Sequence, residues 1–239
     1  MPFDTNAFSV LSLGFILGLK HALDADHLIA VSTIVSEKKG FWSSSLVGAL
    51  WGAGHTISLL IVGLIVIALN VQIPERLALA MELCVALMLI ALGASVLWKI
   101  KKGAVLHLHV HEHNHHVHVH PHIHELNTAQ EHRHDHEVTV GKKPFFVGMV
   151  HGVAGSAALM LLVLTTISSR AIALLYIGIF GLGSVGGMFL MSALIGLPFS
   201  LTANFTRLNK AIQLTAGVIS VVFGIFLVWQ IGFVDGLFL

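Results

Sequence analysis

Charge is scarce in this chain. Lysine, arginine, aspartate and glutamate make up 10% of its 239 residues, where a soluble domain carries about 25%. Hydrophobic residues make up 56%, and the mean hydropathy is +0.88. These values exclude an ordinary soluble domain. Cysteine is nearly absent: Cys84 stands alone inside an apolar segment, which excludes a disulfide framework and a cysteine-built metal site. No ATP-binding motif is present, so a pump driven by its own nucleotide domain is excluded. No apolar span carries a His-Glu-x-x-His helix, and Ser156 has only His151 as a nearby base. An intramembrane hydrolase is therefore not supported, and the chain reads as a non-enzyme with no prosthetic group. The N-terminus lacks a basic n-region and its first apolar stretch is too long for an h-region, so no cleavable signal peptide is expected. The net charge of +1 says little about partners, and no nucleic acid is expected among them.

What is abundant is apolar sequence in long runs. A bilayer span needs about 20 such residues, and six runs qualify: 7–35, 43–70, 77–98, 145–168, 171–199 and 208–233. Asn70 to Arg76, with Pro74, reads as a short turn. The predicted fold is an all-α integral membrane protein in a lipid bilayer. Residues 1–98 hold three spans, 99–143 form a polar insert, and 144–239 hold three more.

The two halves repeat. Gly18-Leu-Lys-His21 aligns with Gly148-Met-Val-His151 at an offset of 130, and Trp51-Gly-Ala-Gly54 with Phe180-Gly-Leu-Gly183 at 129. Arg76-Leu77, Glu82, Gly93, Trp98 and Ile100 align with Arg207-Leu208, Gln213, Gly224, Trp229 and Ile231 at 131. A near-constant offset through three successive spans predicts two three-helix repeats. An odd number of spans forces the second copy to insert upside down, the plan of many secondary transporters.

Loop charge predicts the orientation. With the N-terminus outside, the inner loops hold Lys38, Lys39, Lys99, Lys101, Lys102, Arg133, Lys142, Lys143, Arg207 and Lys210, and the outer loops only Arg76 and Arg170. This bias places both termini outside and the polar insert in the cytoplasm, in a multi-pass cytoplasmic (inner) membrane protein.

The first span breaks the apolar rule at its centre, where it reads Lys20-His-Ala-Leu-Asp24-Ala-Asp26-His27. Aspartate or lysine at a helix centre costs about 2.5–3.5 kcal/mol, so three of them cost roughly 7–10 kcal/mol. Two imidazoles and two carboxylates within seven residues suit a divalent transition metal. On an unbroken helix, with His21 at zero, Asp24 falls at about −60° and His27 at about −120°, while Asp26 falls at about +140°. That arrangement offers His21, Asp24 and His27 as ligands. If the helix unwinds at the motif, Asp26 takes the role instead. The competing reading is an ion-pair network with Lys20 that only locks the fold.

The second span adds Gly52-Ala-Gly54-His55-Thr56, whose small residues let helices approach closely, so that His55 can join the site. Repeat two has lost most of this chemistry: His151 matches His21, but Asp24, Asp26, His27 and His55 become Ala154, Ser156, Ala157 and Ser184. His151 can orient a carboxylate or simply pack helices. Glu82 can relay a cation or snorkel to the interface. Lys20, Glu82, His151 and Ser156 are candidates to stand behind the ligands.

The insert holds 13 of the 17 histidines, most at alternating positions from His107 to His124. Its composition predicts a disordered, shallow, multi-site metal buffer.

His21-Ala-Leu-Asp-Ala-Asp26-His27 resembles the His-x4-Asp-His signature of the nickel/cobalt transporter superfamily. Gly54-His55-Thr56 resembles its next-helix motif. His151-Gly-Val-Ala-Gly-Ser-Ala-Ala-Leu resembles the six-span, urease-accessory-like branch. The resemblance covers all six spans. It implies translocation of Ni2+ or Co2+ with His21, Asp26 and His27 essential, and a cytoplasmic metallochaperone as a partner. A later Asp-Thr motif of the eight-span permeases is missing. The expected function is secondary transport of Ni2+ or Co2+ through the His/Asp site. The alternatives are an exporter of the same superfamily and a membrane metal sensor or storage protein.

Overall fold

The computed structural model describes residues 5–38, 40–102, 106–113, 116–123, 138–167 and 169–239. For 5–7, 106–113, 116–123, 138–141, 156–162 and 164–166 only the backbone is described. The helices are α1 (Thr5–His21), α2 (Ala25–Val35), α3 (Phe41–Leu69), α4 (Glu75–Lys101), α5 (Val138–Thr166), α6 (Arg170–Leu201) and α7 (Thr206–Trp229), the last continued by a π-helical turn, Gln230–Val234.

The expected first span is two helices. Its axis bends by 53° between α1 and α2. The break falls where the sequence is most polar. Asp24 adopts extended backbone (φ −62°, ψ 145°) at the N-cap of α2, and its carbonyl accepts the first bond of the new helix from the Leu28 N–H at 3.0 Å. Lys20 and His21 sit in the last turn of α1 and Asp26 in the first turn of α2. Each charge type therefore meets the helix end of opposite polarity.

Among the described residues, α3, α4, α6 and α7 (with its π turn) are each long and apolar enough to cross a membrane, and α1 and α2 together pass the same test as one broken span or a re-entrant loop. Within the most apolar window of each single span, only 22–50% of the residues are buried. Leucines and isoleucines such as Leu64, Leu190 and Ile225 are more than half exposed. Apolar side chains facing outward over whole helices mark a surface solvated by lipid, so the protein is a multi-pass membrane protein.

Inside, α1 packs on α6, α3 on both α5 and α6, and α4 on α7, with α2 lodged against α4, α6 and α7. The closest approaches are made by glycines and come in reciprocal pairs. A methyl group on Gly18 would strike the Phe180 carbonyl, and one on Gly148 the Trp51 carbonyl. Gly54 abuts the Phe145 carbonyl and Gly183 that of Phe15; Gly93 abuts the Gly217 carbonyl and Gly224 that of Ala86. Exchanging each residue for its mate in the other half converts one contact into the other. Backbones in lipid approach this closely only where side chains are absent.

Two apolar clusters fill the remainder. One runs from Val31 and Trp51 to Leu89 and Met188; the other joins Leu59, Val163, Tyr176 and Ile177. Outside the bundle, Lys99 Nζ donates to both oxygens of Glu37 at 2.7 and 2.8 Å, tying the end of α4 to the turn after α2.

Composition predicts an unstructured insert, but the alternation of histidine with apolar residues has the period of a strand. Leu106–His113 (β1) and His116–Ile123 (β2) pair antiparallel. The register sets His107 opposite His122, His109 opposite His120, His111 opposite His118 and His113 opposite His116. His111 and Glu112 open a His-Glu-x-x-His string here; they lie in β1, and the last two residues of the string lie outside the described residues. Residues 103–105, 114–115 and 124–137, Arg133 among them, lie outside the described residues.

The reciprocal contacts generate a test. Gly18→Val and Gly148→Val should each cost about 1–3 kcal/mol or more through overpacking, read as lower melting temperatures of detergent-purified protein. Gly178 has open space around its Cα, so Gly178→Ala should leave melting unchanged.

Candidate metal centre

Four histidines lie outside the insert: His21, His27, His55 and His151. The fold brings all four together. Ring centroids lie 4.0 Å apart for His27 and His151, 4.5 Å for His21 and His27, 5.2 Å for His21 and His55, and 5.4 Å for His27 and His55. They arrive from three places. His21 ends α1 and His27 lies in the first turn of α2, so the helix break folds them toward each other. His55 comes from mid-α3 and His151 from α5, brought in by the close approach of Gly54 to Phe145 and of Gly148 to Trp51. His27, His55 and His151 are each no more than 2% exposed.

The carboxylates divide the imidazoles between them. His151 Nε2 donates to Asp26 Oδ2 at 2.7 Å, and His27 Nδ1 donates to Asp26 Oδ1 at 3.2 Å. The same Asp26 oxygen accepts the His27 backbone N–H at 3.0 Å, one of the donors that the start of α2 leaves without a carbonyl partner. His21 Nδ1 donates to Asp24 Oδ2 at 2.7 Å. With protons held on those nitrogens, the lone pairs of His21 Nε2, His27 Nε2 and His151 Nδ1 stay bare. His27 Nε2, His151 Nδ1 and both nitrogens of His55 are buried with no hydrogen-bond partner. Leaving a polar atom buried and unpartnered costs about 1–3 kcal/mol. Carboxylates that fix histidine tautomers, beside imidazole nitrogens left open, are the usual preparation of a histidine metal site.

Two overlapping sets of atoms could hold an ion. His21, His27 and His55 each offer a nitrogen, and all three atoms lie within 4.8 Å of one another; Asp26, His27 and His151 form the second such set. His27 belongs to both. The unbroken-helix geometry, which stacks His21, Asp24 and His27 on one face, does not hold. Asp24 is half exposed and engages His21 only, whereas Asp26 lies inside the cluster. Lys20 is exposed and forms no salt bridge among the described residues, so the charges are not neutralised through it. Ser156 lies in α5, with its side chain outside the described residues.

Sequence reasoning missed the aromatic frame. Trp51 is fully buried and stacks on His27, with centroids 5.7 Å apart and planes 11° from parallel. Phe180, its mate in the repeat, lies 5.5 Å from His21. Both stand in the Trp51-Gly-Ala-Gly54 and Phe180-Gly-Leu-Gly183 blocks already marked by the repeat, which was the available signal. The reasoning also missed Gln230 and Asp235. With Glu82, they line a cavity of about 300 Å³ whose wall includes His21, Asp26, His27 and His151.

A polytopic helical membrane protein with a histidine–carboxylate cluster at a helix break is the class that this fold and site define. The chain is 40% identical over 236 residues to the urease accessory protein UreH of Bacillus sp. (strain TB-90), covering 96% of this chain and 95% of that protein. It therefore belongs to the family of that protein, a nickel/cobalt permease-like family. No protein-family model matches the chain, and no solved structure matches it.

The two carboxylates should behave differently. Asp26→Asn disturbs two imidazoles and should weaken the tight component of Ni2+ binding about 10–100-fold. Asp24→Asn, acting on one imidazole at a half-exposed position, should weaken it less. Calorimetric titration of the full chain checks the order.

Proposed function

We propose that the protein is a secondary transporter of Ni2+ or Co2+ and not an enzyme. The ion crosses the cytoplasmic membrane through the cluster of His21, His27, His55, Asp26 and His151. The observation that carries this reading is two overlapping sets of donors, His21 with His27 and His55 and Asp26 with His27 and His151, each converging within 4.8 Å at a helix break, with nitrogens of His27, His55 and His151 buried and unpartnered. Broken helices at mid-membrane are where transporters bind their ions, and nitrogen and oxygen donors suit Ni2+ better than Mg2+. Membership of the UreH family supports the same reading. That relative's name ties it to urease, so nickel supply to a cytoplasmic acceptor, a metallochaperone among the candidates, is the role we assign.

In this reading α1–α2, α3 and α4 form one repeat of three spans and α5, α6 and α7 its inverted copy. The reciprocal glycine contacts support that pairing. The positive-inside bias supports termini outside and the insert in the cytoplasm. His21, His27 and His55 are the ligands, with Asp26 and Asp24 orienting them. His151 shares Asp26 and extends the ion's route. The driving force is the metal gradient, the membrane potential or a proton, and rocking of the two repeats exposes the site alternately. The insert is a cytoplasmic metal buffer joining two complete halves.

Metal flux into sealed proteoliposomes, with Ni2+, Co2+ and Zn2+ presented on either side, tests this. The full chain should carry Ni2+ or Co2+, and His27→Ala should abolish flux while keeping the folded elution profile and helical content. Undiminished flux in a well-folded His27→Ala protein would overturn the site.

The insert gives a separate test. Deleting residues 104–138 should preserve flux and remove weak, multi-equivalent metal binding at neutral pH. Loss of net flux even with a chelator in the lumen that receives the ion would instead make the insert an obligatory acceptor.

A further inference from the structure

Glu82 and Asp235 belong to no part of the cluster described so far, yet both open onto it. The cavity of about 300 Å³ is lined both by Asp26 and the buried His27 and His151 and by Glu82, Gln230 and Asp235. Two bare nitrogens, His27 Nε2 and His151 Nδ1, belong to buried side chains of that wall. Glu82 and Asp235 are exposed, and among the described residues neither forms a salt bridge.

The backbone is shaped to build this mouth. At the end of α7 the Asp235 N–H bonds to the Gln230 carbonyl at 2.9 Å, five residues back rather than four. That wide turn stacks Gln230 and Asp235 on one face, and both line the cavity. Such π turns are rare and concentrate at functional sites. The matching position in the other half is engaged differently. Gln213, the mate of Glu82, is engaged by Asn209, to whose Oδ1 its Nε2 donates at 2.6 Å. Asn209 in turn donates to the Phe199 carbonyl and the Thr202 hydroxyl. A polar position that ties up the chain in one half is an unpaired carboxylate over a cavity in the other.

We infer that Glu82 and Asp235 form a cation-recruiting vestibule that feeds a hydrated divalent metal ion to Asp26, His27 and His151. It opens on the face where α4 begins and α7 ends, the face of the chain termini. This rests on the transport reading above and deepens it. Two carboxylates at the mouth of a low-dielectric cavity concentrate cations and raise the association rate, an effect that salt weakens. The ion exchanges water for the deeper ligands only after it has entered. Gln230 supplies a neutral donor and acceptor for the retained water.

The experiment compares the full chain with the Glu82→Gln/Asp235→Asn double variant in oriented proteoliposomes, with Ni2+ added on the face of the termini. The half-saturating Ni2+ concentration should rise about tenfold, the maximal rate should stay within about twofold, and the dependence on added KCl should flatten. With Ni2+ presented on the other face the two proteins should match. Tight Ni2+ binding at equilibrium should persist, because the deep ligands are intact. Unchanged half-saturation and salt dependence would overturn the vestibule, as would loss of tight binding or a fall in maximal rate alone. If the unaltered chain carries no metal, the transport reading fails instead. The vestibule is then judged by stopped-flow Co2+ association, which the double variant should slow and whose salt dependence it should flatten. Identical association in both proteins would end it.

Discussion

A helix interrupted within an apolar segment exposes backbone groups that need partners, and the structure depends on how that interruption is repaired. The gap between α1 and α2 leaves backbone groups that must find partners within the protein. Two are closed by short-range bonds, from the Leu23 N–H to the Lys20 carbonyl at 2.9 Å and from the Asp24 N–H to the His21 carbonyl at 3.1 Å. Another is closed by Asp26, whose carboxylate caps the His27 N–H while holding the His27 and His151 rings. The same side chain thus repairs the backbone and sets which imidazole nitrogens stay bare. Removing it disturbs the break and the cluster together.

The rest of the cluster is positioned by absence. Gly54 and Gly148 let α3 and α5 meet backbone to backbone, and that approach delivers His55 and His151 to the break from opposite sides. Trp51 then fills the space that the glycines leave and holds the plane of His27 by stacking. Ser184, which replaces His55 in the second half, donates to the Gly18 carbonyl at 3.3 Å. One half has turned its polar position into a helix tie where the other kept an open imidazole.

Much of this was legible in the sequence. The long apolar runs, the polar core of the first span, the offsets near 130 and the four histidines outside the insert were all on its surface. Grouping those histidines needed the repeat, because nothing in the local spacing relates His55 or His151 to His27. The helical wheel favoured Asp24 over Asp26 because it assumed continuous helix. The break bends the axis by 53° and leaves Asp24 in the turn beside His21, with Asp26 between His27 and His151. Composition suggested an insert without structure, whereas alternation with period two pairs 106–113 with 116–123. Asp235 was invisible because it follows the last apolar run, and only the five-residue turn at Gln230 brings it back over the cavity.

The reciprocal glycine contacts have a consequence for how such a protein can change. The frame is encoded in backbone approaches duplicated in both halves, and the reactive side chains are encoded once, mainly in the first. Frame and chemistry are therefore separately inherited. A lineage can exchange His55 for serine or Asp24 for alanine, as the aligned positions Ser184 and Ala154 show, and keep the same helix register. In the proposed repeat, the second half thus shows which of the candidate positions the helix packing tolerates without histidine or aspartate.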